Sequence, residues 1–170
     1  MFVFDAAAGA LLAVAAATAG CGASRFDGTV YRGEGFAFRV PPRPASWQPL
    51  DVTETALAFR DDQGAASIAI NGRCRADGED VPLASLTQHL FLQFTERDVV
   101  QQEIVPMDGR EAMHSTVVAK LDGVPKKFDV WVLKKDGCVY DFLYVARPDR
   151  FDAGVDGFRT FVRGFATVEP

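Results

Sequence analysis

The most ordered hydrophobic pattern lies in residues 126–165, KKFDVWVLKKDGCVYDFLYVA followed by RPDRFDAGVDGFRTFVRGF. Asp136-Gly137 separates two apolar runs, and an Asp-Gly pair in that setting is the strongest short-range signal for a two-residue hairpin turn. Such a turn fixes the register. It pairs Cys138 with Lys135, Tyr140 with Leu133, Phe142 with Trp131 and Tyr144 with Asp129 on one face. The other face pairs Val139 with Lys134, Asp141 with Val132, Leu143 with Val130 and Val145 with Phe128. Both faces are largely apolar, so a covering layer is predicted on each. Downstream, Phe151, Val155, Phe158, Val162 and Phe165 recur at steps of 4, 3, 4 and 3, one stripe of a helix, with Arg150, Arg159 and Arg163 off it. Gly154 and Gly157 weaken that helix by up to about 1 kcal/mol each relative to Ala, so packing on the sheet must hold it.

Toward the N-terminus, Phe36, Phe38 and Val40 alternate with Ala37 and Arg39, a half-buried strand ended by Pro41, Pro42 and Pro44. Trp47 is expected as a lid over the sheet. Residues 55–60 (TALAFR) and 66–71 (ASIAIN) read as strands joined by the turn at 61–64. Leu83, Leu86, Leu90 and Phe94 recur at helical spacing, with Pro82 suited to the first turn, so a helix is predicted over 83–94. Residues 99–105 and 111–120 read as strands, with turns at 106–109 and at Asp122-Gly123. Strands joined by tight turns and two segregated helices predict an antiparallel sheet in an α+β layered fold.

A chain of 170 residues is one domain's worth, and its 14 Phe give the core bulk. A net charge of −5, with no long run of like charge, argues against electrostatic binding of nucleic acid.

The first 21 residues, MFVFDAAAGALLAVAAATAGC, change the reading. From Ala6 to Gly20 they are small or apolar and uncharged, the length of a signal-peptide core. The run ends in Thr18-Ala19-Gly20-Cys21, which resembles the lipobox of bacterial lipoproteins. That resemblance implies cleavage before Cys21 and acylation of its sulfur. Thr18 stands where Leu is more usual in that pattern. Asp5 and the lack of Lys or Arg depart further, which a basic stretch upstream of Met1 would explain. The alternatives are an uncleaved span or a buried helix; Asp5 and the many alanines make a weak span. The expected organisation is a signal peptide over residues 1–20, a lipidated Cys21 with a tether over 21–29, and one globular domain over 30–170. Gly22 stands where an Asp favours inner-membrane retention in such lipoproteins, so the outer membrane is the favoured location. Residues 22–27 reach roughly 20 Å at full stretch, which keeps the domain near the bilayer.

Four stretches carry a second resemblance: GFAFRVP with Trp47 following, LAFRDD leading to ASIAIN, DGREAMHSTVVAKLDG entering the long hairpin, and CVYDFLYVA before the F…F…FV…F helix. Together they resemble the PsbP-like family, over residues 31–168. That family implies an antiparallel β-sheet sandwiched by helices, an α/β/α arrangement of the α+β class. It includes an extrinsic photosystem II subunit, periplasmic lipoproteins and partner-binding proteins, and implies no single function. The lipobox gives no reason to carry over the photosystem role.

Candidate chemistry is sparse. Export would place Cys74 and Cys138, both at strand ends, in an oxidising space, so either a disulfide or two separate thiols is open. No CxxC pattern, G-x-S-x-G motif or Gly-rich phosphate loop occurs. His89 is expected exposed on its helix flank and His114 on the sheet surface, without further ligands at metal spacing. Asp61-Asp62 and Gly78-Glu79-Asp80 read as solvated turns rather than calcium loops. Lys120, Lys126, Lys127, Lys134 and Lys135 gather at hairpin ends, where they guard edges or meet anionic headgroups. Trp131, Tyr140, Phe142 and Tyr144 share one face, which is core if a helix covers it and a partner or ligand surface if not. No catalytic residue, cofactor or metal is expected.

The resulting expectation is a lipid-anchored envelope protein, not an enzyme, that binds or stabilises a protein partner. The alternative is a carrier of a small apolar ligand or lipid in a cavity between sheet and helix. An enzyme would require His89 or His114 to converge with carboxylates in one cleft.

Overall fold

The computed structural model describes residues 25–53, 55–74 and 80–169. The signal-peptide and Cys21 expectations, and the acidic turn at Gly78-Glu79, lie outside these residues. Four long strands form a meander: β6 (Thr95–Met107), β7 (Arg110–Leu121), β8 (Val124–Lys135) and β9 (Cys138–Ala146). Asp-Gly pairs make all three turns, with positive φ at Asp108 and Gly109, Asp122 and Gly123, and Asp136 and Gly137. Positive φ at both central residues is the type I′ turn, whose twist matches that of the strands it joins. All eight predicted β8–β9 pairs are present.

The sheet continues through β5 (Ala66–Cys74), β4 (Leu57–Asp61) and β3 (Trp47–Leu50), giving the antiparallel order β3-β4-β5-β9-β8-β7-β6. Trp47 therefore opens an edge strand rather than resting as a lid. Its ring is still interior, 5.7 Å from Phe59 and 5.2 Å from Phe161. A second, three-stranded sheet joins β1 (Val30–Arg32), β2 (Ala37–Arg39) and the C-terminal β10 (Ala166–Val168). Pattern reading misses β1, β3 and β10 because three or four residues are too short to show a period.

Both faces of the large sheet are covered, as the hairpin pattern requires. On one face, α1 (Leu83–His89) buries Leu86, and Phe91 and Phe94 clamp Phe128 at ring distances of 5.1 and 4.9 Å. The predicted helix over 83–94 stops at His89, because the chain turns through 90–93 to enter β6. On the other face, α2 (Val155–Arg163) and the small sheet cover Ile68, Ile70, Tyr140, Phe142 and Tyr144. All five residues of the predicted stripe are buried. The helix itself is split: Phe151–Ala153 is a 3₁₀ turn and Gly154 breaks the path. Gly154 is required by close approach, since a Cβ there would fall 2.4 Å from Asp61 Oδ2 and 2.6 Å from the Tyr144 hydroxyl. Asp61, expected in a solvated turn, is buried at this contact. The architecture is α+β, an antiparallel sheet between helical layers.

A disulfide joins Cys74 to Cys138, directly opposite one another on β5 and β9. It closes a loop across a sequence separation of 64 residues. Loop entropy then gives about 4 kcal/mol of stabilisation. Replacing both cysteines with Ser should lower the urea midpoint by an amount corresponding to roughly 2–5 kcal/mol. A midpoint unchanged under oxidising conditions would contradict the bond.

Candidate functional site

Register places one acid on an otherwise apolar face. Asp129 lies on β8 opposite Tyr144, beside Trp131, and is fully buried. Such a charge is stable inside only when its oxygens are saturated. Oδ1 accepts from Trp131 Nε1 at 2.8 Å. Oδ2 accepts from Arg159 Nε at 2.9 Å and Nη2 at 2.6 Å, a forked guanidinium contact from α2. His114 Nε2 lies 3.0 and 3.1 Å from the two oxygens, and its Nδ1 lies 3.3 Å from Glu103 Oε1 on β6. The His114 ring stacks on Trp131 at 4.3 Å. One chain of contacts thus runs from β6 through β7 and β8 to α2.

His114 is accordingly buried, 6% exposed, and not on the sheet surface as expected. It alternates toward α2 and finds carboxylates on both flanks. His89 is exposed, as its helix flank predicted. Sequence reasoning misses the cluster, yet a signal exists: the predicted register puts Asp129 on the apolar face, and Arg159 lies on the helix expected above it.

Burial opposes ionisation of Asp129, but hydrogen bonds from His114 and Arg159 outweigh it and hold the carboxyl below its ordinary 3.8. Asp141, on β9 and facing α1, goes the other way. Burial pushes it above the ordinary value, and hydrogen bonds from Asn71 and Arg73 offset this only in part. Asp108 is also lowered: burial opposes ionisation, but Lys135 and Thr167 overcome it. Lys135 donates to Asp108, which ties the β6–β7 turn to the end of β8, while Lys134 donates to the Val81 carbonyl. Lys120 pairs with Glu96 at 2.7 Å, and Lys127 sits over the Phe151 ring. These four lysines thus join elements of the fold.

A cleft of about 450 Å³ opens between β6 and α2, lined in part by Glu103, His114, Trp131, Arg159 and Arg163. Histidine and carboxylates do converge here, the condition set for catalysis. The lining holds no Ser, Thr, Cys or Lys, and both Asp129 oxygens already accept hydrogen bonds. Among the described residues no group of three or more His, Cys, Asp or Glu is arranged so that it could hold a metal ion. A second cleft of about 600 Å³ lies on the other side of β6, with Phe91, Leu92 and Val99 in its wall. A third, about 670 Å³, adjoins Cys74 at the upper end of β5. The four aromatic residues considered as a surface are interior: Trp131, Tyr140, Phe142 and Tyr144 are each 4% exposed or less. Burial pushes the Tyr140 and Tyr144 hydroxyls up to about 12.

The fold these elements define is PsbP-like. The solution structure of cyanobacterial PsbP (CyanoP) from Synechocystis sp. PCC 6803 is similar over 82% of this chain and 93% of that one, with a TM-score of 0.59 at 16% identity. LpqN, described as involved in cell envelope biogenesis of Mycobacterium tuberculosis, is similar over 81% of this chain and 87% of its own, with a TM-score of 0.55 at 13% identity. A protein from Bacteroides thetaiotaomicron is similar over 85% of this chain and 50% of its own, with a TM-score of 0.53 at 11% identity. By sequence the chain matches no family model and no curated protein.

The two buried aspartates give opposite pH signatures. The folded pKa of Asp129 lies below its unfolded value, so its stabilisation is present above about pH 4 and is lost as pH falls through the folded value. The raised pKa of Asp141 means its contribution is full below the unfolded value and is lost as pH rises through the folded one. Asp129→Asn should cost roughly 3 kcal/mol at pH 7, with the cost shrinking toward pH 3. Asp141→Asn should compare more favourably with the parent at pH 7 than at pH 3. Urea unfolding across that range measures both, and parallel profiles for the two variants would contradict the assignment.

Proposed function

We propose that this chain is a membrane-anchored, non-enzymatic protein of the bacterial cell envelope whose domain binds or stabilises a protein partner. The observation that carries the partner is where apolar surface is left outside. Leu92, Val99, Val100 and Ile104 are 72, 55, 59 and 49% exposed, and all lie on or beside the outer strand β6. Leu50 and Val52 at β3, and Leu121 and Val124 beside the β7–β8 turn, are exposed in pairs, so the β6 group is the largest gathering, and such a patch marks an interaction surface. A carrier would instead need room between sheet and helix. That space holds Phe142 against Phe165 at 4.8 Å and Tyr144 against Phe158 at 5.6 Å.

The envelope is supported by the TAGC stretch ending in Cys21 and by the Cys74–Cys138 disulfide, which suits an oxidising compartment. The fold is shared with LpqN, a protein named for a role in cell envelope biogenesis. Among the described residues no helix is long and apolar enough to cross a membrane. Acyl chains on Cys21 would supply the anchor, each buried CH₂ contributing about 0.8 kcal/mol. Gly22 after Cys21 favours the outer membrane, with the domain facing the periplasm.

In the native host, the parent protein should take up labelled palmitate and sediment with membranes. Cys21→Ala should do neither. A Cys21→Ala protein that still pellets, beside a parent that takes up no label, would end the lipoprotein reading. A photo-cross-linking residue at Gln102 should give one discrete adduct of higher mass in intact cells.

A further inference from the structure

Among the described residues the outer strand β6 has only one neighbour, β7, so within them its far side presents unpaired backbone N–H and C=O groups. Most of that edge is guarded. Register shifts interrupt it between Thr95 and Asp98 and between Val99 and Gln101, and Glu96 takes a positive φ. Pro106 removes a donor near its end. Bulges and prolines are devices against sheet-to-sheet association. They bracket residues 101–105, which keep regular pairing with β7. Five residues span about 17 Å, the length of a short peptide strand.

The two sides of this window differ. Gln101, Glu103 and Val105 lie opposite Thr116, His114 and Ala112, on the α2 side. Gln102 and Ile104 lie opposite Ser115 and Met113, on the α1 side. A strand added here would hang alternate side chains over two different grooves. The α1-side groove has a mixed wall: Phe91, Leu92, Val99 and Val117 offer apolar contact, with Arg97, His89 and other polar groups around them. On the α2 side Glu103 accepts from Gln101 Nε2 at 2.9 Å and faces His114, while Arg159 is paired with Asp129. Arg163 lines that groove, is exposed, and makes no ion pair among the described residues. Arg163 is therefore the cation of this groove that is open to an acidic side chain. Asp98, also exposed, stands outside the window across a register shift.

We propose that residues 101–105 of β6 are a docking edge for a short extended segment of a partner protein, apolar toward Leu92 and acidic toward Arg163. This rests on the partner-binding reading above. Backbone pairing supplies attraction and the two grooves supply selectivity, the division of labour in β-strand addition.

The probe is a fluorescein-labelled seven-residue peptide of alternating Val and Glu, titrated by anisotropy into the full chain in detergent micelles. Saturable binding is expected. A peptide of the same composition with Val and Glu in blocks, and one alternating Val and Lys, should bind at least tenfold more weakly. N-methylation at the Val or at the Glu positions should abolish binding in one of the two cases only. Arg163→Glu, a change at an exposed position, should exchange the preference for Glu and Lys. Absence of binding, equal binding of the blocked peptide, indifference to both N-methylations, or an unchanged preference in Arg163→Glu would overturn the proposal. A dimer of the chain alone, dissociated by the peptide, would assign the edge to a second copy and overturn it too. Photo-cross-linking from Glu34, in the turn between β1 and β2 of the small sheet, separates the two levels of inference. A discrete adduct from Glu34 but none from Gln102 overturns the edge and leaves a partner; no adduct from either overturns the partner as well.

Discussion

A one-residue slip at the Asp136-Gly137 turn would move every side chain of β8 to the opposite face of the sheet. Phe128, Val130 and Val132 would leave α1, and Asp129 would leave Arg159. The type I′ turn, with φ of 52° and 76° at its two residues, prevents that slip. The hairpin it fixes is apolar on both sides, so it cannot lie on a surface and must lie in the middle. Everything else follows as cover: α1 with Phe91 and Phe94 on one side, α2 and the small sheet on the other. Five strands then extend the pair outward, and burial falls away toward β6.

The same register places two aspartates inside, Asp129 toward α2 and Asp141 toward α1, on adjacent strands. Their environments are not equivalent. Asp129 receives Trp131, His114 and a forked Arg159, enough to keep it ionised despite burial. Asp141 receives Asn71 and a half-exposed Arg73, which is not enough to cancel its desolvation. Burying an ion pair yields little net stability against an apolar replacement. Its effect here is positional, since Arg159 can reach Asp129 only when α2 lies in one place on the sheet. Asp61 and Tyr144 restrict the same helix at its start, by leaving no room for a side chain at Gly154.

Much of this is legible in the amino-acid pattern. The Asp-Gly turn predicts all eight hairpin pairs, because a two-residue loop leaves no freedom of register. The 4-3-4-3 stripe predicts the buried face of α2, because burial follows helical period. What escapes has physical causes. Gly154 reads along the chain as a propensity cost, whereas it serves a close tertiary approach. His114 reads as a surface residue because nothing local announces that strands β6, β7 and β8 bring Glu103 and Asp129 to either side of it. The outer strand reads as 99–105 although it spans Thr95–Met107, since its two bulges break the alternation on which strand reading depends. Those bulges are the features that leave residues 101–105 as the regular part of the edge.

A molecule built from a central pair outward should also open from the outside inward. Native-state hydrogen exchange tests this most directly, because each amide reports the smallest opening that exposes it. Amides of β8, β9 and the paired part of β5 should exchange only through global unfolding, with a denaturant dependence matching the whole domain. Those of β3 and β6 should exchange through smaller openings. Protection in β6 or β3 equal to that of β8 and β9, or early exchange within the hairpin itself, would contradict an architecture organised around it.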